Sequence, residues 1–376
     1  MKALRILGTR GIPAAHGGFE TFAEHLSLHL VQRGWSVTVY CQENGRGSVS
    51  ESDWKGIRRI HVPVALGGAA ATVVFDWKAT RHAAARKEPC LTLGYNTAVF
   101  CALQRLARVP NIINMDGIEW RRAKWGPLAR GWLWLNERAA ASFGSHLVAD
   151  HPEIARHLTS VAPAEKVSII PYGAERLTDL PVGDVQALGL EPGRYLTIIA
   201  RPEPENTVLE AVQAFSARER GLKLAVLGTY SSDNLYHRSV RDAASSEVVF
   251  LGAIYDKPIV QALRLHCAAY VHGHRVGGTN PSLVEALGAG NAVIAHDNGF
   301  NRWVAADAAV YFSDAASAAA AMDSLLENPA RLRKMRAAAL RRHAQAFTWP
   351  AVLSAYEHLF LRQFGFPPTQ APTGRS

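Results

Sequence analysis

The sequence predicts an α/β protein of two doubly wound domains facing a central cleft, and three observations carry that prediction. Short β-rich runs recur through both halves of the chain, each separated from the next by a helix-length segment. The first cycle runs strand, glycine-rich loop, helix, strand within 41 residues, the opening of a parallel sheet. A chain of 376 residues is too long for one ordinary core and suits two domains.

In order, Ala3–Gly8 reads as a short strand. Phe19–Arg33 has helical apolar spacing at Phe19, Phe22, Ala23, Leu26 and Leu30, stopped by Gly34. Ser36–Cys41 is β-rich, and further strands are expected near Ile60–Val64, Cys90–Leu93, Asn111–Met115 and His146–Val148, with a helix near Leu128–Ser142. A second cycle begins after Pro181 with the strand Tyr195–Ala200 and the helix Thr207–Ala217. It continues through strands at Leu222–Leu227, Val248–Leu251, Ala268–His272, Ala292–Ala295 and Ala309–Phe312. Pro163, Pro171 and Pro181 thin the periodicity where the halves meet. The expected division is a first domain 1–175, a second domain 176–345, and a helix 346–365 packing back on the first domain. A Pro/Thr-rich disordered tail at 366–376 follows.

Composition excludes several classes. With 48% apolar and 19% charged residues the chain can bury a substantial core, so disorder is not its main state. No window reaches the ~18–20 uninterrupted apolar residues of a membrane span; Val64–Phe75 comes nearest and reads as buried or interfacial. The first residues do not read as a signal peptide, because the apolar stretch breaks at Thr9-Arg10-Gly11-Ile12-Pro13. Cys41, Cys90, Cys101 and Cys267 are scattered without metal-site spacing, which points to a reducing cytoplasm and no structural zinc. The net charge is +9, and residues 1–174 hold 21 basic against 13 acidic residues, or +8 of it. That half is expected to face something anionic: nucleic acid, an acidic membrane surface or a phosphate-bearing substrate.

Two glycine-rich loops follow strands. In the first, Gly17-Gly18 opens a helix where free amides and the positive dipole end approach an anion, and with Arg10 nearby the pair favours a phosphate over a plain connection. It is not GxGxxG, which disfavours a dinucleotide. In the second, Gly277-Gly278-Thr279-Asn280 precedes a helix carrying Glu285 in an apolar stretch, where a lone carboxylate is costly. Two vicinal ribose hydroxyls or a salt-bridge partner would both meet its need.

These motifs, GGTNPSLVEALGAG together with ILGTRGIP, GGFETF and ARPEPEN, resemble the retaining GT-B glycosyltransferases of glycosyltransferase family 4. The subfamily resembled is that of bacterial enzymes with a rhamnosyltransferase-type N-terminal domain. The similarity spans residues 3 to about 363, and implies two Rossmann-like domains, the C-terminal one binding a sugar nucleotide and the N-terminal one an acceptor. It implies that Glu285, matching the second Glu of an E-x7-E motif, holds the ribose. The first Glu is replaced by Gly277. Gly278, Thr279 and Asn280 are then expected to approach sugar and diphosphate. Arg201 matches the arginine on the diphosphate, and the family's lysine five residues on is Asn206 here, leaving Arg201 to carry more of that role. Lys257 or Arg275 would be the compensating cations. The base is expected near Gly252–Asp256, with Tyr255 either stacking or packing.

In the first half, Asp116, with Glu119 as a weaker second, is the candidate for contacting the acceptor hydroxyl or the transferring sugar, a structural cap being the other reading. Tyr95 and Asn96, in Gly94–Thr97 after another strand, are expected to border the same cleft; His151 is either there or a capping-loop residue. Arg121–Arg138 mixes five cations with Trp125, Trp132 and Trp134, which suits either headgroup-level membrane contact or aromatic packing. The reading from sequence is therefore a glycosyltransferase working from the inner face of the cytoplasmic membrane. It would move a sugar, L-rhamnose from dTDP-L-rhamnose first and UDP-sugars next, to a lipid-diphosphate-linked saccharide. Retention and independence of metal and cofactor are expected, and no nucleic-acid partner is. A non-catalytic sugar-nucleotide-binding protein is the alternative, motivated by Gly277 and Asn206.

Overall fold

The computed structural model describes residues 2–15 and 17–366. The expected tail lies outside them apart from Phe366, which packs edge-on against Trp35 at 5.3 Å instead of trailing free. The chain divides into two compact units, residues up to Pro171 with those from Pro350 onward, and Tyr172–Trp349.

The first unit contains β1 (Ala3–Leu7), α1 (Gly18–Gln32), β2 (Ser36–Asn44), β3 (Ser50–Trp54), β4 (Ile57–Val64) and α2 (Gly68–Arg86). It continues with β5 (Cys90–Leu93), α3 (Ala102–Leu106), β6 (Asn111–Asn114), α4 (Pro127–Phe143), β7 (His146–Ala149), α5 (Pro152–Leu158) and β8 (Val167–Ile169). The strands form one sheet in the order β3-β4-β2-β1-β5-β6-β7-β8, parallel except for the β3–β4 hairpin. β1 buries Leu4, Ile6 and Leu7, and α1 lays Phe22, Ala23, Leu26 and Leu30 inward.

The second unit contains α6 (Gly183–Ala187), β9 (Tyr195–Ile199), α7 (Val208–Ser216), β10 (Lys223–Leu227), α8 (Leu235–Asp242), β11 (Val248–Gly252), α9 (Lys257–His266) and β12 (Ala269–His272). After these come α10 (Pro281–Gly288), β13 (Val293–His296), α11 (Gly299–Ala305), β14 (Ala309–Phe312), α12 (Ala315–Leu326) and α13 (Pro329–Ala346). The sheet order β11-β10-β9-β12-β13-β14 is all parallel, the doubly wound order 3-2-1-4-5-6. One apolar layer, with Phe215, Leu224, Val226 and Met322, joins the sheet to α7 and α12; another, with Tyr270, Leu283, Val293 and Ala339, joins it to α10 and α13. The last helix, α14 (Trp349–Gln363), belongs to the first unit save for its first residue. There Glu357 accepts from the Trp35 indole at 3.1 Å and the Asn114 amide donates to the Tyr356 hydroxyl at 2.8 Å.

Three elements of the first unit depart from the sequence reading. β3 is polar (SESDW) and shows no β alternation, yet the two-residue turn Lys55-Gly56, both with positive φ, folds it back on β4. α2 carries on from the apolar run that reads as interfacial; its buried face is Ala71, Phe75, Ala79 and Ala83. β8 is a three-residue edge strand, too short to signal itself.

Candidate functional site

Each sheet has one place where neighbouring strands run on in opposite directions along the order, and there loops leave the strands' carboxyl ends on either side of a crevice. In the second unit that place lies between β9 and β12. The loop after β9 carries Arg201, and the loop after β12 runs through Gly277–Asn280 into α10. The two loops are joined at their base. Thr207, in the left-handed region at φ 45°, donates through its hydroxyl to the Gly273 carbonyl at 2.8 Å. A Cβ on Gly273 would fall 2.1 Å from the Asn206 carbonyl oxygen, so only glycine fits there.

At the start of α10 the Asn280 side chain caps the helix by accepting from the Ser282 amide at 3.0 Å, Thr279 is buried, and Gly277 takes φ 134°. Glu285 sits one turn further on. One carboxylate oxygen receives the Arg264 guanidinium at 2.6 Å, and Oε1 has no partner among the described residues. Arg264, 6% exposed in its side chain, also donates to Ser282 Oγ at 3.2 Å. Ser282 Oγ in turn meets the Tyr270 hydroxyl at 2.5 Å and donates to the Ile199 carbonyl at 3.2 Å, so the carboxylate rests on a buried polar network. The salt-bridge reading of Glu285 is therefore realised, and half of its acceptor capacity stays open beside it.

Arg201 is exposed, and its guanidinium makes no hydrogen bond or ion pair among the described residues. Asn206, expected on the donor, is turned inward: it is buried and its amide donates to the Arg201 carbonyl at 2.8 Å, so it shapes the loop. The compensating cations are engaged elsewhere, Lys257 with Glu175 at 2.8 Å and Arg275 with Glu210 at 3.1 Å. Tyr255 is 70% exposed in the loop after β11, out of the core that the packing reading would require. His272, at the end of β12, escaped the sequence reading. It is buried, neither ring nitrogen has a hydrogen-bond partner, and its ring stacks on His274 at 4.4 Å. Burial, with His274 adding, holds its pKa well below the ordinary histidine value, so it is neutral.

In the first unit the crevice lies between β1 and β5 and opens into a pocket of about 350 Å³. A Cβ on Gly8 would strike the Leu93 carbonyl at 2.1 Å, which is why glycine closes β1 here. Gly17, Gly18 and Asn96 border the pocket. The phosphate expected at Gly17-Gly18 meets a resident charge: Glu20, buried in the first turn of α1, lies 3.3 Å from where a Gly17 Cβ would stand. Asp76 of α2 also lines the pocket and accepts from the Thr97 hydroxyl at 2.7 Å. Burial pushes its carboxyl up to about 6 against the pull of that bond. The sequence reading passed over Asp76, although an acid ending an apolar run is a visible signal.

Asp116, after β6, takes φ 52°, a strained conformation outside glycine. Burial, with Glu119 adding, raises its carboxyl to about 6. Glu119 is committed: Arg122 holds one oxygen at 2.8 Å and the Trp125 indole reaches the other at 3.4 Å. Both of its oxygens are thus engaged within its own segment. Tyr95 is likewise internal, buried and accepting from the Glu119 amide at 2.8 Å. His151 is the capping residue, Nδ1 accepting from the Glu153 amide at 3.0 Å. Arg121–Arg138 divides between its two readings. Trp120 and Trp125 bond inward to Glu137 and Glu119, whereas Leu128, Trp132, Trp134 and Leu135 are exposed. Among the described residues no helix is long and apolar enough to cross a membrane, and no group of three or more His, Cys, Asp or Glu side chains could hold a metal ion.

Residues 186–342 match the family described as Glycosyl transferases group 1, and residues 1–175 match Domain of unknown function (DUF1972). The structure is similar to a sucrose-phosphate synthase from Thermosynechococcus elongatus, at 18% identity and a TM-score of 0.79 over 98% of this chain and 100% of that one. It is similar to Anabaena HepE in complex with UDP, at 14% identity and 0.71 over 96% and 100%. An α,α-trehalose-phosphate synthase (UDP-forming) from Burkholderia xenovorans gives 11% and 0.72 over 95% and 99%. No curated protein matches the chain in sequence. Two doubly wound units of this kind define the GT-B fold, which the chain shares with these structures. Within it, the second unit carries a glycosyl transferases group 1 domain.

Proposed function

We propose that the protein transfers a sugar from a nucleoside diphosphate to a saccharide hydroxyl, with the donor bound in the second unit and the acceptor in the first. One observation carries the reading: Arg201 and the Gly277–Asn280 loop flank the β9/β12 crevice, with the open oxygen of Glu285 one helical turn behind. Glu285 Oε1 accepts from the ribose, amides at the start of α10 face the diphosphate, and Arg201 stabilises the charge that grows there as the glycosidic bond breaks. The UDP named with HepE fits such a donor. Asp116 contacts the acceptor or the transferring sugar.

The finer reading follows the resemblance to family 4. Transfer retains configuration by same-face attack, with the departing diphosphate taking the acceptor's proton. It requires no metal or cofactor. The preferred donor is dTDP-L-rhamnose, with UDP-sugars next. The acceptor is a lipid-diphosphate-linked saccharide in bacterial cell-surface polysaccharide synthesis, reached by peripheral docking of the exposed Trp132, Trp134 and Leu128 with Arg121, Lys124 and Arg130 on the cytoplasmic membrane face. A thermal-shift panel of nucleotide sugars tests the donor, since a ligand at a hundred times its Kd stabilises the native state by about 2.7 kcal/mol. A panel that leaves the melting temperature unmoved refutes the reading. The second reading, sugar-nucleotide binding without turnover, draws on Gly277 and on the inward turn of Asn206. Donor hydrolysis without acceptor separates the two.

A further inference from the structure

Among the described residues the β1/β5 pocket is lined by two acidic side chains, Asp76 and Glu20, and one basic one, Arg10. A diphosphate entering it would meet net negative charge, so an anionic ligand is disfavoured. The remaining wall is made of hydroxyl and amide groups, among them Thr72, Thr97, Gln42 and Asn96, with the Phe19 and Phe75 rings supplying apolar surface. Neutral hydrogen-bonding groups beside aromatic faces match the alternating hydroxyl and C–H faces of a sugar ring, and a pocket of about 350 Å³ admits one or two such rings.

Within that wall Asp76 stands apart. Thr97 engages Oδ2, and Oδ1 has no partner among the described residues. The carboxylate is half-buried and lines the pocket, so a ligand hydroxyl can reach the unused Oδ1 and donate to it. Resting on the glycosyltransferase reading above, we propose that Asp76 is the specificity-determining residue of the acceptor pocket. Its Oδ1 accepts a hydrogen bond from a ring hydroxyl of the acceptor saccharide, and Thr97 fixes the carboxylate's orientation. No covalent step is assigned to it.

The test is calorimetric titration of the full chain with methyl α-L-rhamnoside, methyl β-D-glucoside and methyl β-D-galactoside, and separately with UDP and dTDP. Wild type should bind at least one glycoside. Asp76→Asn should weaken that binding by about tenfold or more, because a charge-assisted hydrogen bond is replaced by a neutral one. Thr97→Val should weaken it less, and both variants should bind nucleotide as wild type does. Circular dichroism and thermal melting establish that the variants are folded. Glycoside binding that survives Asp76→Asn unchanged, that is absent in wild type, or that inorganic phosphate displaces overturns the proposal. Failure of both nucleotides to bind wild type sinks the donor reading instead, leaving the glycoside result to stand by itself.

Discussion

Replacing Asp76 with Asn should make the protein more stable at neutral pH. The wild-type carboxyl titrates near 6 in the folded state against an ordinary 3.8, because burial disfavours its charge. A raised carboxylate pKa means that the folded state binds the proton more tightly than the unfolded one. The penalty is absent below 3.8, grows between 3.8 and 6, and is complete above 6. About two pKa units correspond to ~3 kcal/mol as an upper figure, reduced where the pocket admits water. Asparagine keeps an oxygen to accept from Thr97 and carries no charge. For a unit of this size ~1 kcal/mol moves the melting temperature by ~2–4 °C, so Asp76→Asn should melt up to ~6–12 °C higher at pH 8. The gain should shrink toward zero by pH 4. Asp116 also titrates near 6 but is common to both proteins and cancels in the difference. Differential scanning calorimetry of the pair across pH 4–8 measures this. A variant no more stable than wild type at pH 8, or an offset that does not change with pH, would refute the assignment of an under-compensated carboxylate. A pocket-lining residue that costs stability is one expected to serve binding.

The remaining predictions concern the donor side and the surface. Glu285→Ala should weaken nucleotide binding by ~1.5–3 kcal/mol by titration calorimetry, since ribose hydroxyls lose a charged acceptor; unchanged affinity would refute the ribose role. Arg264→Ala should weaken it as well, by freeing the Glu285 carboxylate from its 2.6 Å partner and leaving a buried network half satisfied. Arg201→Ala should lower kcat more than it raises KM in steady-state assays, and an effect confined to KM would count against its place at the leaving group. Activity should be unchanged in EDTA; loss restored by Mg²⁺ or Mn²⁺ would overturn the metal-free mechanism. Replacing Arg121, Lys124 and Arg130 with Gln should abolish flotation with anionic vesicles at low salt while sparing transfer to a short water-soluble acceptor; flotation like wild type would refute docking.

Much of the fold is legible because its strands are buried on both faces. Runs such as YLTIIA and SVTVYC are short and rich in β-branched and aromatic residues, and β9 and β2 lie where they do. β3 was invisible for the opposite reason, being an exposed edge paired through a turn. Sequence places Arg201 in the loop after a strand and Glu285 just after a glycine-rich loop, because loop chemistry is local. It could not supply Arg264, which comes from α9 and meets Glu285 only in the folded unit. Nor could it show that Glu119 and Asn206 are consumed by neighbours. A polar side chain's type is written in the chain, but whether its hydrogen bonds are already taken is decided by tertiary contacts.

The first unit is assembled from both ends of the chain, and this bears on how it is made. The ribosome releases residues up to Pro171 long before α14 exists, and until then Trp35 lacks Glu357, Asn114 lacks the Tyr356 hydroxyl and the Phe22 ring lacks Tyr356 at 4.7 Å. The second unit is continuous in sequence, whereas the first lacks these contacts until α14 is translated. Early termination or proteolytic trimming within α14 should therefore damage the unit that begins the chain, not the one beside which the cut is made.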